Sequence, residues 1–348
     1  MDELKKRFEL MFPDKIFLRD SLAEVEKYLR TKNWITKEES VISLIKPGEG
    51  NMNYVRRITT NSRTIILKQA RPWAEKYPHI YAPTERSMVE VNYFSIINKH
   101  PDLKSYSPVL LGVDNDNFII VLSDLGTGFD YTYFYEKENH LSVQEYQEIL
   151  TYLSHLHQLK CETFPYNGEM RKLNHEHIFV VPFEINNGLN LDKIQPGLQE
   201  ASMTYKTDQL LVSEIRKLGK LYLKEGPVLI HGDYFPGSWL KSDNGLKVID
   251  PEFSFMSYAE IDLGIMVAHL LMAQQDLTLI SNTFSFYKRS LDFNERIFAG
   301  YIGVEILRRL LGVGQLPLTL SLEEKKDLMV EASGWIKKGK IDFINYES

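Results

Sequence analysis

The pattern of apolar residues changes character once along this chain of 348 residues, near Leu125, and that change constrains the fold more than any other feature. Before it, the runs VISLI (41–45), YVRRI (54–58) and TIILKQ (64–69) are separated by KPGEGNMN and TTNSR. Short apolar runs bounded by Gly, Pro, Asn and Ser read as strands joined by turns, here three successive antiparallel ones. The Pro- and aromatic-rich RPWAEKYPHIYAPT (71–84) predicts a loop. A helix follows from Glu85 to about His100, with Met88, Val91, Phe94 and Ile97 spaced for one side. PVLLGVD and NFIIVLSDL predict two more strands, joined through Asn115–Asn117. Ahead of the first strand, Leu22, Val25 and Leu29 mark a helix over Ser21–Ile35, capped by Asp20 or Ser21. The first part is thus a five-stranded antiparallel sheet with one helix inserted after its third strand.

After Leu125 helix dominates. Ser142–Leu159 opens on a Ser-x-x-Glu capping box (Ser142, Glu145), with Tyr146, Ile149, Leu153, Leu156 and His157 near one face. Asp208–Glu225 is a second amphipathic helix. The stretch 227–255 reads strand, loop, strand, a turn at Asn244-Gly245, strand and loop, and from about Glu260 the chain is mainly helical. The expected class is α+β with two lobes, residues 1–125 and 126–348.

Lys and Arg number 41 against 47 Asp and Glu, a net charge of −6, which excludes a nucleic-acid binder working through a broad basic surface. A small basic pocket remains compatible. The single Cys161 excludes an internal disulfide framework and a cysteine-based zinc site, and it suits a reducing compartment. The opening MDELKKRFELMFPDK has no apolar core of a secretory signal. The longest apolar run, Leu263–Ala273, is broken by His269 and too short for a bilayer. A cytoplasmic protein acting away from membranes is expected, and a homodimer is compatible with the sequence.

The chemistry concentrates in His231-Gly232-Asp233, then Ser238, then Asp250-Pro251-Glu252. Asp233 and Asp250 each follow an apolar run, so both carboxylates leave strand ends. One can take a proton from a hydroxyl while the other holds a divalent cation, the division of labour phosphoryl transfer needs. Glu252 adds a second carboxylate two residues on. In the first part, Gly48, Gly50, Asn51 and Asn53 form a turn able to present N–H groups to phosphate. Lys68 can place an ammonium on the same phosphates, and Glu90 is its candidate ion-pair partner. Glycine turn, strand lysine, helix glutamate, HGD loop and metal carboxylate occur in the order of a kinase chain.

Each fragment alone has a plainer reading: acidic turn residues, a hairpin, a solvated lysine. Their joint order outweighs it. His231 reads as structural, and Asp262 as an acceptor of hydrogen bonds from the HGD loop. The histidine pairs 155/157 and 175/177 diverge on a helix and suggest no metal. Trp73 and Tyr77 suit a packed loop better than a lid.

GEGNMN (48–53), ILKQA (66–70), HGDYFPGS (231–238), VIDPEFSF (248–255), IDLG (261–264) and ILRRLLG (306–312) resemble the aminoglycoside phosphotransferase/choline kinase superfamily, and within it the methylthioribose kinase branch. The resemblance implies a protein-kinase-like fold with ATP and Mg²⁺ in the cleft between the lobes. It makes Asp233 the catalytic base and Asp250 and Glu252 metal ligands, with Ser238 a weaker second-metal or positioning ligand. The adenine meets Ser123, Asp124 and Leu125 through backbone groups, and Arg308 with Arg309 holds the acceptor. The implied reaction is ATP-dependent phosphorylation of a small-molecule hydroxyl, on a pentose-like sugar such as 5-methylthioribose. An aminoglycoside, a choline-like amine or another sugar is the alternative acceptor. A non-catalytic nucleotide binder would lack the base, the metal carboxylate or the lysine, and all three are present. Tyr234, Phe235 and Pro236 stand where that branch carries Leu-His-Thr, and after the twin arginine this chain reads VGQLP where the branch has a His-Val-Ala-Asp stretch.

Overall fold

The computed structural model describes residues 2–48, 50, 52–126, 128–136 and 138–346; Asn51 of the expected glycine turn lies outside them. The chain divides into two compact units, Met1–Thr127 and Gly128–Ser348.

The first unit runs α1 (Asp2–Met11), α2 (Leu22–Thr31), β1 (Val41–Ile45), β2 (Tyr54–Thr60), β3 (Thr64–Gln69), α3 (Arg86–Ile97), β4 (Leu110–Asp114) and β5 (Ile119–Ser123). The strands form one antiparallel sheet in the order β1-β2-β3-β5-β4. Side chains alternate across a strand, so β3 serves two purposes. Ile65 and Leu67 join Ile58, Ile119 and Val121 in a core that α2 covers with Val25, Tyr28 and Leu29. Lys68 follows Leu67 in the alternation and so lies on the opposite face. Of the two expected caps for α2, Ser21 is the one used, its side chain accepting the Glu24 N–H.

Two readings need correction here. The buried face of α3 is Arg86, Ser87, Val89, Glu90, Tyr93, Phe94 and Ile97, while Met88 and Val91 are only half-buried. The helix turns a polar pair, Arg86 and Glu90, inward, and an apolar count cannot register that. Helix α1 was not foreseen. Its Phe8 packs with Phe17 around Trp73, which is wholly buried, and the Arg7 guanidinium donates to the Pro78 carbonyl (2.6 Å). The 71–84 loop is therefore anchored on its own unit through Trp73.

The second unit runs β6 (Phe129–Asp130), α4 (Val143–Gln158), α5 (Gly168–His175), α6 (Leu198–Lys206), α7 (Gln209–Tyr222), β7 (Val228–Ile230), β8 (Trp239–Ser242), β9 (Gly245–Val248) and β10 (Phe255–Ser257). It ends with α8 (Ala259–Met272), two short helices α9 (Leu277–Ser281) and α10 (Thr283–Phe286), α11 (Glu295–Leu311) and α12 (Leu322–Lys338). The capping box at Ser142 and Glu145 forms as expected. β6, β8 and β9 make one small antiparallel sheet, and β7 pairs with β10, where a loop was expected.

Helix α8 is buried on every side from Glu260 to Met272. It lies so near α11 that a Cβ on Gly264 would come within 2.7 Å of the Tyr301 Cβ. Glycine is what lets the two backbones approach, and further along the same pair of helices His269 of α8 meets Glu305 of α11. Among the described residues no helix is long and apolar enough to cross a membrane.

Candidate active site

The loop after β7 is held by its backbone. Asp262, in the first turn of α8, accepts from the His231 N–H through Oδ2 (2.7 Å) and from the Gly232 N–H through Oδ1 (2.9 Å). Gly232 takes φ +84°, and a Cβ there would sit 2.3 Å from the Phe253 carbonyl oxygen. Only glycine fits that conformation in that space. Ser254 Oγ donates to the His231 carbonyl (3.0 Å), and the His231 ring donates through Nε2 to Ile249 O (3.0 Å). Burial pushes the His231 pKa down, which keeps the ring neutral and structural. Behind Asp262, His157 Nε2 lies 3.2 Å from its Oδ2 while His157 Nδ1 meets the Tyr287 hydroxyl at 2.8 Å.

This frame fixes Asp233. Its carbonyl accepts the Ser238 hydroxyl at 2.7 Å. Its carboxylate remains partly exposed, with Arg309 Nη2 3.6 Å from Oδ1. Burial raises the Asp233 pKa, and the Arg309 and Arg308 charges only partly oppose that. The result is a carboxyl held above its ordinary range beside a guanidinium, which suits a proton acceptor.

Asp250 leaves β9 through a left-handed residue, φ +61°, and Pro251–Phe253 follow as a tight turn. A side chain other than glycine, asparagine or aspartate is uncommon there. Asp250 is half-buried and Glu252 is buried. The Asn167 carboxamide donates to the Glu252 and Ser254 carbonyls (3.0 and 3.1 Å), fastening the turn. Among the described residues no group of three or more His, Cys, Asp or Glu is gathered to hold a metal. A Mg²⁺ ion is typically bound by one or two carboxylates plus phosphate oxygens and water, and two hard oxygen donors of this kind fit it. The buried Ser238 hydroxyl donates to the Asp233 carbonyl and so staples the loop.

Glu305, Arg308 and Arg309 share one side of α11, as i, i+3 and i+4 spacing requires. Glu305 Oε1 accepts from Arg308 Nη2 (2.7 Å), Arg309 Nε (2.8 Å) and His269 Nε2 (2.8 Å), and Oε2 accepts from Arg308 Nε (2.5 Å). The His269 Nδ1 faces the Tyr135 hydroxyl. The Phe235 ring covers the Arg309 guanidinium at 5.1 Å and the His269 ring at 5.0 Å. The twin arginine is thus paired, with Arg309 buried and Arg308 half-buried. Glu305, His269 and Tyr135 escaped the sequence reading; the spacing Glu-x-x-Arg-Arg is the one signal that pointed to the first of them.

In the first unit, Lys68 Nζ and Glu90 Oε2 form a buried pair at 2.7 Å. The Asn53 carboxamide reaches Glu90 Oε1 (3.5 Å) and accepts from Arg86 Nε (2.9 Å). Arg86, fully buried, also donates to the Met52 (3.0 Å), Arg71 (3.0 Å) and Pro83 (2.6 Å) carbonyls. It ties the end of the glycine turn to α3 and to the 71–84 loop, a residue the sequence reading passed over. Gly48 and Gly50 have open space where a side chain would stand. At the end of β5, Ser123 Oγ accepts from the Val109 N–H (2.8 Å). Asp124 is bridged by Arg57 (2.9 Å) and accepts the Gly126 N–H (3.1 Å). The side chains of Ser123 and Asp124 are thus committed within the unit, and Leu125 beside them is half-buried.

The phosphotransferase enzyme family matches residues 42–301 of this chain. A methylthioribose kinase of Bacillus cereus (strain AH820) is 27% identical over 270 residues, 72% of this chain and 66% of the relative, so that match spans just under two thirds of the relative. Another from Bacillus cereus (strain B4264) is 25% identical over 94% of this chain and 93% of its own length. Among solved structures, choline kinase from Streptococcus pneumoniae matches 91% of this chain and 97% of its own, with TM-score 0.52 and 13% identity. A spectinomycin phosphotransferase in complex with ADP and spectinomycin matches 92% and 98%, with TM-score 0.51 and 12% identity. At such identity the likeness concerns the fold, which is α+β and protein-kinase-like.

Proposed function

The chain belongs to the phosphotransferase enzyme family, and on that premise we propose that it transfers the γ-phosphate of ATP to a hydroxyl of a small, uncharged, pentose-like sugar, methylthioribose being the first acceptor to test. The observation that carries the proposal is the state of Asp233. Its backbone is fastened through Asp262 and Ser238, and its carboxyl is raised by burial beside Arg309. A base works best when its pKa approaches the operating pH and its position is fixed. Asp233 takes the proton of the acceptor hydroxyl as that oxygen bonds to the γ-phosphorus. The bond to the bridging oxygen breaks, and ADP leaves with its electron pair.

The other residues have positional and electrostatic tasks. Asp250 and Glu252 would hold Mg²⁺, which when bound neutralises charge on the phosphate oxygens. Lys68, fixed by Glu90, adds an ammonium for the phosphates. Gly48 and Gly50, with open space where a side chain would stand, leave room beside them for the phosphates. With the Ser123 and Asp124 side chains committed, the adenine falls to backbone groups of 123–125.

The acceptor class follows from the charge count around Arg308 and Arg309. Two guanidiniums face two carboxylates, Glu305 and Asp233, and burial drives the His269 pKa down to about 4, so that ring is neutral. The set offers N–H donors without surplus charge of either sign. Sugar hydroxyls suit that; a choline-like or aminoglycoside cation would need surplus carboxylates.

ADP release measured with Mg·ATP against methylthioribose, other pentoses, choline and an aminoglycoside tests this. Turnover of methylthioribose well above the rest supports the full reading. Preference for a cation removes the acceptor class, and silence on every acceptor with ATP bound removes the reaction.

A further inference from the structure

We propose that Glu305 is a positioning residue of the acceptor site, the fixed point through which Tyr135 and His269 set the twin arginine in place. The proposal rests on the reading of Arg308 and Arg309 as acceptor-binding.

The geometry is that of a buried hub. The Glu305 side chain is 3% exposed and its two oxygens accept from three side chains on two helices. Arg308 spends both Nε and Nη2 on it, the fork that fits a carboxylate. Arg309 spends Nε, which leaves Nη1 to the Gly314 carbonyl (3.2 Å) and Nη2 facing Asp233. Glu305 therefore decides which edge of the Arg309 guanidinium is turned toward the base.

The second layer has one consistent direction. A carboxylate can only accept, so His269 Nε2 carries the proton toward Glu305, and Nδ1 accepts from the Tyr135 hydroxyl. Tyr135, His269 and Glu305 come from three separate segments, the turn after β6, α8 and α11, and all are buried. Such a chain fixes each member's orientation more firmly than any one bond would. Without the Glu305 charge, two guanidiniums, Arg309 buried and Arg308 half-buried, would stand side by side, and their repulsion would swing them off their present lines.

The test is steady-state kinetics on the full chain with Mg·ATP and the best acceptor from the screen, using Glu305→Gln, Tyr135→Phe and Arg309→Lys. Removing an outer partner of a metal-bound side chain typically costs about 10–100-fold, and the lower end of that range sets the scale for this hub. Glu305→Gln is expected to raise the acceptor KM on the order of 10-fold while the ATP KM stays within about 2-fold. Tyr135→Phe keeps the ring and the fold, and is expected to raise the acceptor KM in the same direction by less. A hub that served folding alone would lower kcat through the active fraction and leave both KM values unchanged. That pattern, or wild-type acceptor KM in Glu305→Gln and Tyr135→Phe while Arg309→Lys raises it, overturns the positioning role and spares the arginine reading. Unchanged acceptor KM in all three variants overturns both.

Discussion

Arg309 Nη2 stands 3.6 Å from Asp233 Oδ1, a carboxyl whose pKa is raised by burial while two arginines pull it down. The sign of the pH dependence follows. Below its pKa Asp233 is protonated and cannot take the acceptor's proton, so kcat/KM falls on the acid side at a higher pH than for an exposed aspartate. Arg309→Met removes a charge that favours the ionised form, and the acid limb is expected to move further up. A shift to lower pH would contradict the assignment. Asp233→Asn is expected to abolish turnover with ATP binding kept, read by titration of the nucleotide.

Lys68 and Glu90 make a buried pair at 2.7 Å, so losing one partner removes a countercharge at hydrogen-bond distance from the other. Breaking such a pair costs about 3–5 kcal/mol. Lys68→Met is expected to destabilise by that amount in urea unfolding, and the double variant Lys68→Met/Glu90→Leu to recover much of it. Neither is expected to recover ATP affinity. Stability and nucleotide KM moving together in the double variant would show that the pair matters only for folding.

Two glycines respond oppositely to the same substitution. Gly232→Ala puts a Cβ 2.3 Å from backbone oxygen at φ +84°. The strain of that conformation alone is about 1–3 kcal/mol, and the HGD loop must shift as well. A displacement of about 1 Å at a reacting group can cost on the order of 100-fold in turnover. Gly334 lies within α12 with nothing within 4 Å of its would-be Cβ, so Gly334→Ala is expected to stabilise by about 0.5–1 kcal/mol. Thermal melting and kcat of the two variants check both signs.

The strands were legible because alternation and turn residues are local signals. Ile65 and Leu67 announce a buried face, and Asn244-Gly245 announces a turn that Gly245 makes at φ +80°. The architectural part of Asp262 was legible from its place after the HGD and DPE segments. What stayed hidden was buried polarity. Arg86, His269 and Glu305 sit inside helices whose apolar pattern suggests nothing of them, since a buried charge is defined by partners far off in sequence. Glu305 meets His269 across 36 residues, and Arg86 meets Asn53 across 33. Ser238 adds a contact of the same kind at short range, its hydroxyl closing the loop on the Asp233 carbonyl.

Asp262 offers the sharpest separation of scaffold from chemistry, because it touches the HGD loop only through backbone N–H groups. In Asp262→Asn one accepting oxygen becomes an NH₂, which would point a donor at a donor. A hydrogen bond to a charged group contributes about 1.5–3 kcal/mol, and at least one is lost. His157, 3.2 Å from the same carboxylate, loses its charged partner too. The expected outcome is a loss of stability together with a large fall in kcat, while the ATP KM stays near wild type, since Lys68 and the glycine turn belong to the other unit. Full kcat in a destabilised Asp262→Asn protein would mean that the loop holds Asp233 without this anchor, leaving His231, Ser238 and Ser254 to carry the position of the base.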